Sequence, residues 1–342
     1  MLLKKLTEAA GPSGYEDEIR QVIYEQVHNY ADRVYTDSLG SLIVEKNGTL
    51  PGPRVMLCAH MDEVSLMIVQ IEDSGLLKFR PIGGVDPRVL VSKPVHLGKN
   101  KIPGVIGSKA VHLQSVAERG KPVAIDNMYI DIGASSKEDA EKYVKLGDFA
   151  VFATEYQEIG QRCAKAKSFD DRVGCGVLIE ILRKSFQIPL VFAFTVQEEI
   201  GLRGAGAIAY RINPDIALVI EGTVCFDVID APEHGMGTKL GRGPALTVID
   251  AHMIGNRNVL DELRRAADSD RIPYQIRKAS GGGNDAGRIH TARGGIATGA
   301  VSVPTRYIHA PSQIISLDDY ENTIRLVESF LRNVERGGIR FS

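Results

Sequence analysis

Several stretches of this chain carry histidine or carboxylate where an apolar run stops. "VMLCAHMDE" reaches His60, with Asp62 two residues on, and "LVFAFTVQEE" ends in the pair Glu198 and Glu199. "ALVIEG" ends in Glu221, and "GAVSVPTRYIHA" runs out to His309. "SFDDRVG" places Asp170 and Asp171 just ahead of a helical pattern. Two imidazoles with several carboxylates form a ligand set suited to Zn²⁺, Co²⁺ or Mn²⁺. One catalytic zinc takes three protein ligands, so the set is too large for a single ion. Two cations about 3.5–4 Å apart, sharing one carboxylate, would use it. Glu198 and Glu199 are neighbours at the end of an extended segment, so their side chains point apart. One can bind metal while the other handles a proton. The H-x-D spacing of His60 and Asp62 suits a carboxylate that accepts the second imidazole N–H and fixes the ring. Taken singly, each of these residues is more often a solvated loop end or a helix cap. The repetition of the same chemistry at strand ends is what a plain surface does not give.

For one rim to collect these groups, the strands must run parallel, because ligands in open α/β sheets lie outside the carboxyl ends of the strands. The runs "PRVMLCAH", "IPLVFAFTV", "PDIALVIE" and "GGIATGAVSV" read as strands buried on both faces. Helical patterns alternate with them: "DRVGCGVLIEILRKS", "NRNVLDELRRAADSD" and a last helix starting at Ser316. The fold class expected is α/β, a mostly parallel sheet sandwiched by helices. Near the N-terminus, Ser13 and Glu16 read as an S-x-x-E capping box for the helix "YEDEIRQVIYEQVHNYAD". From Gln70 to Ile159 the texture changes to short alternating segments separated by Gly, Pro and Asp turns. This predicts an inserted small β-barrel-like domain at 70–159, with the α/β domain formed by 1–69 plus 160–342. Within the insert, "SKAVHLQSVAERGK", residues 108–121, reads as a polar loop without regular structure.

Composition removes other classes. The 342 residues are 44% hydrophobic and 25% charged, with a formal net charge of -2. That balance gives no reason to expect nucleic acid or an anionic membrane as a partner. The apolar runs are far shorter than the roughly 20 residues of a membrane span, and the N-terminus has no secretion-signal pattern. Cys58, Cys163, Cys175 and Cys225 show no C-x-x-C spacing and read as small core residues of a protein in the reducing cytoplasm. His28, His96, His234, His252 and His290 read as surface or packing residues.

The motifs "AHMDEV", "KSFDDRVG", "TVQEEIGLRGA", "GGGNDAG" and "VPTRYIHAPSQ" resemble, in order and over nearly the whole chain, metallopeptidase family forty-two. These are the glutamyl and deblocking aminopeptidases, which include tetrahedral assemblies and were once misnamed cellulases. The resemblance implies that His60 binds a first metal, that Asp170 bridges two, and that Glu199 and His309 hold the second. Glu198 is implied as general base. Where the family commonly has aspartate, this chain has Glu221, kept as a first-site ligand. The peptide after the bridging aspartate is implied to be cis. Two divalent cations per subunit are implied, Zn²⁺ before Co²⁺ or Mn²⁺, and substrates are peptides with a free N-terminus. The insert is implied to pair subunits, and the dimers to build a dodecamer. A loop from it, with His112 or Gln114, would then approach the neighbour's site; otherwise it is a mobile surface loop. The alternatives are another amide hydrolase on the same platform, such as a deacylase or carboxypeptidase, and a non-enzymatic oligomeric scaffold.

Overall fold

The protein was analysed as a computed structural model that describes residues 1–231, 237–277 and 281–339. His234 lies outside the described residues. The strand Val55–His60 is buried along its whole length. It runs parallel to Leu190–Thr195 on one side and Ile216–Val224 on the other, and the latter pairs in parallel with Ala297–Arg306. Thr195 is in register with His60, so these two strands end level. Outside this parallel centre the ladders along the main strand path are antiparallel, while Ala245–Thr247, antiparallel to Ala297–Arg306, carries Gln275–Arg277 in parallel as a side branch. Leu42–Lys46 and Arg33–Thr36 close one edge, and Gln313–Ser316, Cys163–Ala166 and Gln157–Ile159 close the other. The eleven-stranded sheet is therefore mixed, with its four central strands parallel.

Period-two alternation sorts the central side chains between two helical layers. Val55, Leu57 and Ala59 join the apolar cluster containing Phe169, Val173 and Val177 of the helix Phe169–Leu182. Met56 and Cys58 join the other cluster, with Ala205, Ile208 and Ile212. That second layer contains a helix the sequence reading did not find, Arg203–Ile212. Its "RGAGA" start reads as a turn. Gly204 is required there because a Cβ would come 2.7 Å from the Val196 carbonyl oxygen.

The β-rich insert is a closed barrel in the order Ser65–Ile71, Leu77–Ile82, Met128–Asp131, Ile102–Ser108, Pro94–Leu97, Phe149–Phe152. Its first strand starts at Ser65, ahead of the boundary at 70, because "SLMIVQI" continues the apolar texture of the preceding strand. Gln157–Ile159, placed in the insert by the sequence reading, pairs instead with Cys163–Ala166 in the large sheet. The barrel has its own core, including Leu66, Ile68, Phe79, Val95 and Ile130. The segment 108–121 is more regular than expected. It holds a 3₁₀ turn at Val111–Leu113 and a helical turn at Val116–Arg119 with a Ser115–Glu118 capping box.

Two further expectations are corrected. Ser13 and Glu16 make no capping box: the helix Asp17–Val27 has no side-chain N-cap bond. Ser13 Oγ donates instead to Asp62 Oδ2 at 2.7 Å, and Glu16 Oε1 accepts from the Gly14 and Gln197 backbone N–H groups. Cys58, Cys175 and Cys225 are buried, but Cys163 is only half-buried, because its strand lies one ladder from the sheet edge. Among the described residues no helix is long and apolar enough to cross a membrane.

Beneath the rim lies a buried ion cluster. Both Glu63 carboxylate oxygens accept from Lys167 Nζ at 2.6 Å, and Arg172 Nη2 approaches Glu63 Oε1 at 3.3 Å. Arg172 and Lys167 also donate to the Ala9 carbonyl oxygen. Burial opposes the charge on Glu63, yet Lys167 and Arg172 outweigh it and lower its pKa. Burial lowers Lys167 to about 8 despite the attraction of Glu63. Removing one partner of such a cluster leaves buried charge uncompensated. Glu63→Ala is therefore expected to reduce stability by about 3–5 kcal/mol, measured by urea unfolding. A change within the roughly 0–1 kcal/mol of an exposed pair would contradict this.

Candidate metal centre

His60 ends the central strand with its ring buried. Its Nδ1 lies 3.1 Å from the Asp62 carbonyl oxygen and 3.4 Å from Asp62 Oδ1. Its Nε2 faces carboxylates: Asp170 Oδ1 and Glu221 Oε1, each at 3.2 Å, and Glu198 Oε2 at 3.9 Å. The second imidazole arrives from the far end of Ala297–Arg306. His309 Nε2 lies 3.2 Å from Glu199 Oε2 and 3.4 Å from Asp170 Oδ2. Its Nδ1 is 2.9 Å from the Gly84 carbonyl oxygen, which leaves Nε2 for the site. Gly84 follows the barrel strand Leu77–Ile82. A Cβ on it would come 3.3 Å from His309 Nδ1, so the barrel loop fits closely over this ring.

Asp170 thus places one carboxylate oxygen near each imidazole. Its backbone N–H donates to Gln313 Oε1, and the Asp170–Asp171 peptide is cis, as the resemblance implies. Asp171 turns away from His309. Its Oδ2 accepts from the His60 backbone N–H and its Oδ1 from the Gly174 N–H.

Glu198 and Glu199 lie on the turn after Leu190–Thr195, and Asp62 fixes that turn. Its Oδ1 accepts from the Glu198 N–H at 3.0 Å and its Oδ2 from the Glu199 N–H at 3.2 Å. Asp62 therefore does more than the spacing suggests: it braces His60 and both glutamates. Glu16, accepting from the Gln197 N–H, supports the same turn from the N-terminal segment.

All seven sequence-derived site residues, His60, Asp62, Asp170, Glu198, Glu199, Glu221 and His309, come together. Three were not given roles by the sequence. Asp171 is the partner of the His60 backbone, and Gln313 holds the Asp170 backbone. Asp285, within "GGGNDAG", is buried and accepts from Thr195 Oγ1. The doubled aspartate and the glycine-flanked "ND" were the available signals.

The electrostatics show a surplus of carboxylate. Burial above all raises Glu221 to about 8 and Asp285 to about 6, with His60 opposing both shifts. Burial opposes the charged form of His309, yet its bonds to Asp170 and Glu199 lift it to about 11. Asp170 moves the other way. Burial would raise it, but its bonds to His309 and His60 hold it below the usual carboxylate range. Among the described residues the buried carboxylate oxygens Glu199 Oε1, Glu221 Oε2 and Asp285 Oδ1 have no hydrogen-bond partner. Unpaired acceptors beside an anionic cluster fit divalent cations. Groups with ligand atoms close enough to hold an ion include His60–Asp171–Glu221 and Asp170–Glu199–His309. Among the described residues none of the remaining histidines joins such a group. The cluster opens into a cleft of about 340 Å³.

Because Asp62 positions a ligand ring and the glutamate turn together, Asp62→Ala is expected to weaken divalent-metal binding about 10- to 100-fold. Competition against a chelator measures this, and unchanged affinity would show that the turn and ring hold themselves.

Comparison with known proteins agrees with this geometry. The M42 glutamyl aminopeptidase family matches residues 40–326. A TET aminopeptidase from a marine sediment archaeon of the Thaumarchaeota superposes with a TM-score of 0.94 at 38% identity, covering 98% of each chain. The Pyrococcus horikoshii TET1 peptidase, described as assembling into a tetrahedron or a large octahedral shell, gives a TM-score of 0.86 at 35% identity, covering 96% of this chain and 97% of the other. The lysyl aminopeptidase of Pyrococcus furiosus is 32% identical over 346 residues, covering 98% of this chain and 97% of the relative. With the ligand-like cluster at the rim of this fold, the chain belongs to the M42 glutamyl aminopeptidase family and is a peptidase.

Proposed function

We propose that this enzyme removes N-terminal residues from peptides using two divalent cations, Zn²⁺ first and Co²⁺ or Mn²⁺ as alternatives. One observation carries the reading: the two oxygens of Asp170 face the two imidazoles, His60 and His309, at 3.2 and 3.4 Å. A carboxylate so placed suits a bridge, with His60 and Glu221 holding one ion and Glu199 and His309 the other. When bound, such ions polarise a carbonyl and bring the pKa of water toward neutrality. The remaining steps belong to the chain. Glu198 accepts the proton of the attacking water and returns it to the leaving amine. Burial above all raises its pKa, His60 opposes, and Glu221 raises it further. Asp62 fixes the backbone of Glu198, so the base does not drift toward the ligand positions. A free α-amine is also a ligand for a cation held there, which suits cleavage at a free N-terminus rather than at a blocked one.

Glu198→Gln keeps the shape and removes the base. It is expected to lose at least about 10²–10⁴-fold in kcat while elemental analysis still finds two ions per chain. Loss of an ion, or near-native turnover, would reverse the roles of Glu198 and Glu199.

The barrel is proposed as the part that pairs subunits, with 1–64 and 153–339 as the catalytic part. The segment 108–121 supports this. It exposes Val111, Leu113 and Val116, the last at 86%, within one short segment, and clustered exposed apolar side chains suit an interaction surface. His112 lies among them, and its approach to a neighbour's cleft remains the reading offered. His112→Ala is then expected to lower kcat/KM with metal content and assembly intact. A metal-loaded monomer with full activity would show each site to be complete within one chain.

A further inference from the structure

The cleft at the carboxylate cluster is also lined by Arg277, Gly281, Gly282, Gly283 and Asn284. Arg277 is the permanently cationic side chain among the described residues of that lining. It ends the short strand Gln275–Arg277, which pairs in parallel with Ala245–Thr247 and so is anchored to the large sheet. Its side chain is only 11% exposed.

A cation this enclosed, beside a cluster rich in carboxylate, would ordinarily be matched by one of those carboxylates. It is not. Among the described residues no cleft carboxylate pairs with it; its ion-pair partner is Asp250, whose Oδ2 stands 3.7 Å from Nη1. That distance is beyond hydrogen-bond reach. Asp250 Oδ1 is committed to the backbone N–H groups of His252 and Met253, while its Oδ2 has no hydrogen-bond partner. A guanidinium carries five N–H donors in a rigid fork. Here Nη2 donates to the Gly281 carbonyl oxygen at 2.8 Å, and Nε has no partner among the described residues. The fork is thus fixed in direction by Asp250 and Gly281, with hydrogen-bonding capacity left over. A planar fork held this way matches a carboxylate with two parallel hydrogen bonds.

Resting on the aminopeptidase reading above, we propose that Arg277 binds a carboxylate of the peptide substrate and sets the preference of the cleft. Two parts of a peptide could supply that group: an acidic side chain on the N-terminal residue, or the C-terminal carboxylate of a very short peptide. Family membership leaves the matter open, since the matched family is described as glutamyl and one relative is named for lysine.

The test uses the metal-loaded, assembled enzyme and ratios of kcat/KM. Glutamyl and glutaminyl p-nitroanilides differ only in the side-chain charge. Leucylglycine and leucylglycinamide differ only in the terminal carboxylate. R277Q is expected to lower the glutamyl-to-glutaminyl ratio at least about tenfold, the size of one charged hydrogen bond. R277K, which keeps the charge without the fork, is expected to fall between. If the dipeptide ratio falls instead, the carboxylate recognised is the C-terminal one. Calorimetric titration with free glutamate against glutamine gives a reading independent of turnover, and the preference for glutamate should shrink in R277Q. If neither ratio changes in folded R277Q or R277K, Arg277 is a packing residue and the proposal fails. If the unmodified enzyme hydrolyses neither these four substrates nor a panel of other aminoacyl p-nitroanilides, lysyl included, the aminopeptidase reading fails instead.

Discussion

The rest of this structure answers to one constraint: several largely buried carboxylates converge at the foot of one cleft, where two imidazoles face them. Asp170, Asp171, Glu198, Glu199 and Glu221 all lie near His60 or His309. Isolated buried carboxylates do not stay ionised; they take up protons or find cations. The raised pKa values of Glu221, Glu198 and Asp171 express that pressure, each led by burial. A pocket of this kind is unfavourable for folding alone. It is compatible with a stable protein because the surrounding backbone over-determines it, and because cations would relieve it.

The adjacent pair Asp62 and Glu63 shows how the surrounding chain does this. Asp62 faces the site and accepts N–H groups from the glutamate turn. Glu63 faces the other way, into Lys167 and Arg172, and its Oε1 also accepts from the Gly11 N–H. One dipeptide thus ties the site to the N-terminal segment and to the start of the helix that carries Asp170. The backbone tells the same story. Ser168, Gln197 and His309 all have positive φ without being glycine, an arrangement that costs about 1–3 kcal/mol at each position and persists where neighbours enforce it. Each lies within two residues of a site carboxylate or is itself a site residue. The barrel contributes too, since the Gly84 carbonyl oxygen holds His309 Nδ1 and Gly83 leaves room for Glu199.

Legibility in the sequence followed physical range. The central strands were readable because burial on both faces leaves unbroken apolar runs, as in "VMLCAH" and "LVFAFT". The site residues were readable because parallel strands must deliver their ends to one rim. What escaped was set by contacts distant in sequence. Ser13 and Glu16 have the spacing of a helix cap, but Asp62 and the Gln197 N–H compete for them and win. The helix Arg203–Ile212 was hidden by Gly204, which packs closely on Val196 rather than making a turn. The barrel boundary was blurred because Ser65–Ile71 continues the apolar character of the strand before it. The Glu63–Lys167–Arg172 cluster has no local signature, since its members are brought together only by the fold.

Glu221 stands where the family resemblance implies an aspartate, and the sheet fixes the position from which its longer side chain reaches the site. The strand Ile216–Val224 runs in register with Ala297–Arg306, with Glu221 opposite Ser302, so its backbone position is set by the sheet. Lengthening the side chain therefore moves the carboxylate relative to that fixed strand. Oε1 still reaches 3.2 Å from His60 Nε2, the same separation that Asp170 Oδ1 keeps. The following residue, Gly222, lies close under Asp170, where a Cβ would come 3.4 Å from the Asp170 Cα. A Cβ there would meet the proposed bridging residue at ordinary van der Waals distance. Glu221 therefore reaches His60 from a backbone position that the sheet fixes, and its carboxylate meets the ring beside that of Asp170 rather than in its place.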